Sequence, residues 1–342
     1  TIEQAKGERQ RITRSTREVH LLAHPGDETM LLIQRDPGLN ASVDDTNRSM
    51  VSTLALDMIF PIVHGPYGED GTLQGLLELS NIPYVGAGVL ASATGMDKAV
   101  MKGLLEYHGL HVTPFRVIKR DQWRADSTAV HTACELAFPY PWFVKPANGG
   151  SSIGVSVVHD CTEFAEAMEQ AAGYDRKLLV EAAVTGAREI EVAVIGNDEP
   201  RASVPGEVVA TNEFYDYEAK YLSDDTELIV PAALPAPVTE RLRICALKAF
   251  RALECAGMAR VDFLLRDCDN KVFISEINTV PSFTEKGMFP KLWEASGIPY
   301  PELIERLIQL ALIRHGQAGS FKNDQMSPMT GERSVMDSWA GR

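Results

Sequence analysis

Gly257-Met-Ala-Arg260-Val-Asp262-Phe-Leu-Leu-Arg266-Asp-Cys-Asp-Asn270-Lys-Val-Phe-Ile-Ser-Glu276-Ile-Asn278 is the most informative stretch of the chain. Two alternating runs flank a turn rich in Asp and Asn, which predicts an antiparallel hairpin. Centred on Asp269, the hairpin sets Asp262 opposite Glu276 and Arg260 opposite Asn278, all on one side of the ribbon. The other side carries Val261, Phe263, Leu265, Phe273 and Ile277, interrupted only by Ser275, while Leu264, Val272 and Ile274 share the charged side. Directly opposed residues have Cβ atoms about 5 Å apart. Two carboxylates and an amide oxygen that close suit a hard divalent cation such as magnesium, which usually keeps substrate phosphates among its ligands. Beside them Arg260 offers a fixed fork for a phosphoryl oxygen. An isolated Asp–Glu pair is more often a solvated face with an incidental ion pair. The apolar neighbours on this face favour a metal with an amphiphilic ligand instead.

Working outward, Phe143-Val-Lys145-Pro-Ala-Asn-Gly149-Gly150-Ser151-Ser152-Ile-Gly154 is a strand that ends in lysine and leads into a Gly/Ser-rich loop. Glycines let backbone N–H groups approach phosphate oxygens, and the lysine adds a point charge. It is not a Walker A loop, because no Gly-Lys-Ser/Thr opens a helix. Lys98, near the start of a helix predicted over 96–109, is a third candidate cation, although alone it reads as a solvated lysine. His24-Pro-Gly-Asp-Glu28 looks superficially like a metal motif, but a Pro-Gly turn explains it without chemistry.

The rest of the chain alternates. Strands are expected at 19–23 and 30–33, a buried strand over 54–63, a helix over 73–79 and a strand at 84–86, which together suggest a βαβ layer. Strands at 115–119, 142–145, 156–159 and 178–181 alternate with helices over 128–136 and 163–172. From Glu189 the pattern becomes period-2 strand. A polar, aromatic stretch over 211–225 is too hydrophilic for core and too long for a tight turn, the profile of a lid or binding loop. Amphipathic helices are predicted over 239–255 and 301–315, and a tail with few large apolar residues, expected to be mobile or loosely docked, follows over 316–342.

The chain has 342 residues, about twice the usual domain size, so two or three domains are expected. Its net charge of −14 opposes a nucleic-acid footprint but not the binding of a small anion by a few local cations. Five scattered cysteines without CxxC spacing predict reduced thiols rather than a disulfide frame or zinc site. No signal-peptide pattern or membrane-length apolar run occurs, so a soluble, cytoplasmic protein is expected.

The order of these elements (Lys98, the Lys145 loop, Glu181, the 214–221 segment, the Arg260/Asp262/Glu276/Asn278 hairpin) resembles the ATP-grasp superfamily. Within it, His64-Gly-Pro-Tyr-Gly-Glu-Asp-Gly71, Phe214-Tyr-Asp-Tyr-Glu-Ala-Lys220-Tyr221 and Glu276-Ile-Asn278-Thr-Val-Pro281 resemble the D-alanine–D-alanine ligases, over about Leu56 to Ile313. The resemblance implies a three-domain α/β and α+β fold, with nucleotide held between the central and C-terminal domains. Those domains would be 1–95, 96–184 and 185–315, followed by the 316–342 tail. It implies ligation of two D-alanines for peptidoglycan synthesis, with ATP and two Mg2+ or Mn2+ ions, by a homodimer that binds neither nucleic acid nor membrane. Lys98 and Lys145 would hold ATP phosphates, with Ser151 and Ser152 in the Gly-rich loop. Glu181, Ala183 and Val184 match the stretch that reads adenine, Glu189 the ribose-binding carboxylate, Phe214 would pack on the base, and Leu264 counts among the cofactor-binding residues. Lys220 and Tyr221 would close over the active site. Asp262, Glu276 and Asn278 would hold the metals, Arg260 would stabilise the transferring phosphoryl group, and His64 would sit near the first amino acid.

Three departures stand out. The family's Gly-rich stretch with its ammonium-anchoring glutamate is not found before Leu54. A Pro-Gly after the metal asparagine is Pro281-Ser282 here. A serine expected at the second substrate's carboxylate is Gly287, next to Met288. Two other readings therefore stay open: another ATP-grasp carboxylate–amine ligase, or a nucleotide-binding protein without ligase activity.

Overall fold

The computed structural model describes residues 17–21, 29–35, 49–150, 152–209, 227–284 and 287–320. The turn at His24, Ser151, the whole 211–225 stretch with Phe214, Lys220 and Tyr221, and residues 321–342 lie outside the described residues.

Among the described residues, the strands form three antiparallel sheets. The first joins β1 (Arg17–Leu21), β2 (Thr29–Arg35) and β3 (Ser49–Ala55) as a meander. The run over 54–63 is not the buried strand its apolar content predicts, since Leu54, Ile62 and Val63 are 47%, 61% and 48% exposed. Leu54 and Ala55 end β3, Pro61 interrupts the rest, and past β3 Ile59 forms an isolated parallel bridge with Tyr84. With α1 (Thr72–Leu79) between those two residues, this bridge is a minimal form of the expected βαβ unit.

The predicted 96–109 helix divides at Asp97. That residue is extended and ends α2 (Val89–Met96), while its carboxylate accepts from the amides of Ala99 and Val100 and starts α3 (Lys98–Tyr107). An Asp N-cap satisfies donors that have no intrahelical partner. Asp97 also pairs with Lys177, and the Lys98 amide donates to Ala147 O, so the first turn of α3 is fastened to the Gly-rich loop.

The second sheet has the order β4 (Phe115–Lys119), β7 (Lys177–Ala182), β5 (Trp142–Pro146), β6 (Ser156–Val158). The intervening helices are α4 (Arg120–Ala125), α5 (Ser127–Glu135) and α6 (Phe164–Ala172). Trp142, Val144, Leu178 and Val180 point into a core shared with Val130, Cys134, Phe164 and Met168. Strand alternation then turns Phe143, Lys145 and Glu181 to the opposite face, where they line a cleft.

The third sheet runs β10 (Glu227–Ile229), β9 (Arg201–Val209), β8 (Ala187–Gly196), β11 (Gly257–Arg266), β12 (Lys271–Asn278). On one face Ala259, Val261, Phe263 and Leu265 pack with Leu242, Ala246 and Phe250 of α7 (Ala236–Ala252). The other face changes character along its length. Met258 and Ile195 are buried beneath α8 (Met288–Ala295) and α9 (Tyr300–Ser320), whose apolar stripe includes Phe289, Trp293, Leu303 and Leu307. Two residues further along each strand, the same face carries Arg260 and Ala193, then Asp262 and Glu191, then Leu264 and Glu189. The sheet thus emerges from its helical cover where its side chains become charged. Helix α9 continues to Ser320, past 315, where the apolar pattern thins.

Arg314 of α9 donates to the carbonyls of Gly86 and Tyr84 and lies over the Tyr84 ring, tying the amino-terminal part to this layer. Gly257 opens β11 at the same junction with φ +72°, and a Cβ there would sit 3.0 Å from Gly86 O. Only glycine meets both the left-handed backbone and the close approach.

Candidate active site

The second and third sheets face each other across a cleft of about 580 Å3. Lys145, Glu181, Ala183, Val184 and Ser152 line one wall, and Glu189, Asp262, Leu264 and Glu276 the other, with Lys98 between. These ten residues, singled out separately in the sequence, thus line one cleft, while Arg260, Asn278, His64, Ser282, Gly287 and Met288 are not part of its lining.

The hairpin register holds where the chemistry needs it: Arg260 pairs with Asn278 and Asp262 with Glu276. It then slips by one residue, because Phe263 pairs with Ile274 and leaves Ser275 as a bulge. This corrects the face assignment beyond the metal positions. Val272 and Ile274, expected beside the charges, join the apolar core with Val261, Phe263 and Leu265. Phe273, expected in that core, pairs with Leu264 instead, its ring against the cations of Arg266 and Lys271. A bulge restores both faces at the cost of one unpaired residue, and the polar Ser275 is the residue spared a core position.

Arg260 is enclosed by carboxylates. Its Nε and Nη2 donate to the two oxygens of Asp262, each at 2.7 Å, and its Nε lies 3.1 Å from Glu191 Oε2. Burial works against the charge, but Asp262 and Glu191 outweigh it and hold the guanidinium pKa well above its ordinary value. Asn278 Nδ2 donates to Asp262 Oδ2 at 3.0 Å. Lys98 Nζ donates to Gly149 O at 2.8 Å and lies 3.4 Å from Glu276 Oε2. Lys98 therefore bridges the Gly-rich loop and the carboxylates of the hairpin.

Among the described residues, no group of three or more His, Cys, Asp or Glu side chains is placed to hold a metal ion. The set that stands here is two carboxylates and an amide, all oxygen donors on adjacent strands, with Arg260 and Lys98 as their counter-charges. A hard divalent cation suits such donors, so Asp262, Glu276 and Asn278 fit the role.

Two acidic residues join the site without having been assigned a role from the sequence. Glu191 follows Glu189 at strand spacing and so shares its face, which was the available signal. Glu69 lies inside the motif that begins at His64; its Oε1 accepts from the Gly65 amide at 2.8 Å. Burial raises the Glu69 pKa to about 7, with Glu276 adding to the rise and Lys98 and Arg260 opposing it. Because a carboxyl in the unfolded chain ionises near 4.5, folding binds the proton more tightly. The penalty on the folded state is absent below pH 4.5 and grows to full size as pH rises through about 7. It amounts to roughly 3 kcal/mol at most. Glu69→Gln is expected to melt higher than wild type at pH 8 and to lose this advantage at pH 4.5. Thermal melts across that range check it, and a difference that does not change with pH would contradict it.

His64 hydrogen-bonds to the Val280 backbone beside Arg260; partial burial keeps its pKa below the ordinary imidazole value, and Arg260 pushes the same way. Ser282 Oγ lies 3.4 Å from Thr284 Oγ1. Ser282 is not among the described residues with positive φ, so its backbone does not require the family's glycine. The Met288 side chain is 4% exposed and belongs to the core beneath the sheet, which removes it from the cleft. At Gly287 a Cβ would lie 2.8 Å from Ser282 O and 3.0 Å from Thr284 O. The turn closes too tightly for a side chain there. Gly287→Ala should lower stability by about 1–3 kcal/mol, the usual penalty of overpacking; an unchanged denaturation midpoint would show that the turn relaxes freely.

Two antiparallel sheets that close on a cleft, with Lys145 from one, a carboxylate pair from the other and Lys98 from helix α3 between them, have the architecture of an ATP-grasp enzyme. The match to known proteins is more specific. The D-ala D-ala ligase C-terminus family model matches residues 104–309 and the D-ala D-ala ligase N-terminus model residues 3–87. The D-alanine--D-alanine ligase of Geobacillus thermodenitrificans is 53% identical over 260 residues, covering 76% of this chain and 71% of that protein. Among solved structures, the D-alanine-D-alanine ligase from Coxiella burnetii superposes with a TM-score of 0.69 at 39% identity, covering 78% of this chain and 71% of that one. The VanG D-Ala:D-Ser ligase from Enterococcus faecalis gives 0.74 at 30% identity, covering 86% and 79%. The chain belongs to the D-Ala-D-Ala ligase family. No helix among the described residues is long and apolar enough to cross a membrane.

Proposed function

We propose that this chain joins two D-alanine molecules, converting ATP to ADP and phosphate, and so supplies D-alanyl-D-alanine for peptidoglycan precursors. The observation that carries the reading is the hairpin pairing of Arg260/Asn278 and Asp262/Glu276 across the cleft from Lys145. A carboxylate is a poor electrophile, so the first D-alanine must be activated, here as an acyl phosphate. Lys98 and Lys145 would orient the phosphates as positive charges. Arg260 would turn its fork toward the transferring phosphoryl group, whose equatorial oxygens carry the developing charge. Magnesium ions bound by Asp262, Glu276 and Asn278 would supply further neutralisation of that charge. Arg260 is then placed to stabilise the tetrahedral oxyanion when the second amine attacks. Acyl phosphates hydrolyse in water, which calls for closure of the cleft; we assign that role to the 211–225 stretch, with Lys220 and Tyr221. We place the enzyme in the cytoplasm as a homodimer.

The test is ADP release with and without D-alanine, with the product identified by mass. Release that depends on D-alanine and yields the dipeptide is expected. MgATP binding without dipeptide at any D-alanine concentration would favour a nucleotide-binding protein instead. The departure at Gly287, on the expected second-substrate side, supports a second reading in which the acceptor differs. A panel of D-alanine, D-serine and D-lactate as acceptors separates the two.

A further inference from the structure

Helix α3 delivers two lysines to the cleft, not one. Lys102 lies one turn beyond Lys98, and residues four apart share a helix face. Unlike Lys98 it is fully enclosed, at 0% exposure. Its Nζ lies 2.6 Å from Thr113 Oγ1, 3.3 Å from Glu181 Oε1 and 5.6 Å from the centre of the Phe115 ring. Thr113 Oγ1 donates to Glu181 Oε2 at 3.1 Å, and Lys145 Nζ stands 2.9 Å from the same oxygen. Glu181 therefore holds two lysines, one sealed beneath the cleft and one at its surface. A buried ammonium is costly unless it is paired, so Lys102 is committed to Glu181. Burial opposes the charge on Glu181 as well, yet Lys102 and Lys145 together keep its pKa below the ordinary value.

One carboxylate shared by two cations constrains the more mobile of them. Were Glu181 to have Lys145 as its only partner, moving Lys145 to a phosphate would strand a buried carboxylate. With Lys102 fixed below, that departure leaves an ion pair behind. We propose that Lys102 is a positioning residue for the nucleotide: it keeps Glu181 charged and fixed, so that Lys145 can turn from that carboxylate to a phosphate oxygen. This rests on the reading of the cleft as an ATP site. Lys102 should act on nucleotide affinity and leave D-alanine binding alone.

The experiment measures MgADP binding by titration calorimetry, and KM for ATP and D-alanine, in wild type, Lys102→Met, Glu181→Gln and the double variant, each checked for folding by circular dichroism. Lys102→Met is expected to weaken MgADP at least fivefold and to raise KM for ATP in parallel, with KM for D-alanine within twofold. The double variant should bind MgADP less weakly than the sum of the two single losses, since the neutral amide introduced by Glu181→Gln no longer retains Lys145. A loss below fivefold, equal losses for both substrates, or additive penalties in the double variant would each overturn the proposal.

A pH profile of the wild type gives a reading that needs no variant. The charged groups around Lys102 are Glu181, Lys145 and Lys98. Burial lowers the Lys102 pKa to about 8, with Glu181 opposing and the other lysines reinforcing the shift. Above that pH Lys102 turns neutral, Glu181 is left to Lys145, and MgADP affinity should fall several-fold between pH 7.5 and 9. A flat wild-type profile sinks the inference even if Lys102→Met does not fold. A wild type that binds no MgADP would remove the ATP reading itself, whereas normal binding by both proteins removes only the role of Lys102.

Discussion

Asp262→Ala is expected to release ADP at less than about one thousandth of the wild-type rate while keeping its fold. The size follows from how many jobs converge on one carboxylate. Asp262 is a proposed metal ligand, it takes both nitrogens of the Arg260 fork at 2.7 Å, and it accepts from Asn278. Removing it loosens the phosphoryl clamp and the guanidinium together, and groups that act as a unit lose nearly everything when one is deleted. The fold persists because Arg260 is not left uncompensated: Glu191 remains 3.1 Å from its Nε. Removing the sole partner of a buried charge costs about 3–5 kcal/mol, and the second carboxylate should hold the loss well below that. Glu276→Ala should be equally inactive but should disturb Arg260 less, since Glu276 faces Lys98. D-alanine-dependent ADP release, circular dichroism and thermal melts measure all three quantities. Ordinary turnover by either variant at ordinary magnesium would overturn the hairpin assignment.

What the sequence revealed of this site, and what it hid, follows from which signals are local. Strand alternation and a polar turn led to Asp262 opposite Glu276, yet the pairs next to the turn run one residue off that centring, and the bulge between the turn and the site restores it. The bulge at Ser275 was not legible, although a serine interrupting an apolar face was its trace. One slipped residue exchanged the environments of Phe273 and Ile274. The stretch over 54–63 misled for the opposite reason: its composition suits a buried strand, but burial depends on what covers it, which no local pattern reports. Lys102 lay beyond sequence reasoning because its significance depends on Glu181, 79 positions away by sequence number. Its spacing from Lys98 was visible, but spacing cannot tell a sealed lysine from a solvated one. The α7 and α9 stripes, set by 3.6-residue periodicity, were read to within a few residues. The family resemblance supplied roles for Glu181 and Glu189 that residue types alone could not.

Arg260→Lys tests whether the site needs a positive charge or a fork. Lysine keeps the charge, so the surrounding Asp262, Glu191 and Glu276 would still have a counterion and the protein should fold. It cannot make the two parallel bonds that Arg260 gives Asp262, nor present a planar pair of donors to a phosphoryl group. An arginine acting on a transferring phosphoryl group is worth about 10^3–10^5 in rate where it has been removed altogether. Retaining the charge should recover part of that, leaving kcat down by roughly 10^2–10^3, while KM for ATP should move only a few-fold, since the proposed phosphate cations Lys98 and Lys145 are untouched. Arg260→Met should behave differently in kind. Three carboxylates would then share one end of the cleft, Lys98 facing Glu276, and repulsion should raise their proton affinities. That variant should be most stable at acidic pH and lose stability as pH rises toward 7, the reverse of a protein held by this ion pair. Steady-state kinetics on the first variant and melts against pH on the second separate geometry from charge. A lysine variant with wild-type kcat would mean that Arg260 serves the fold and not the transfer.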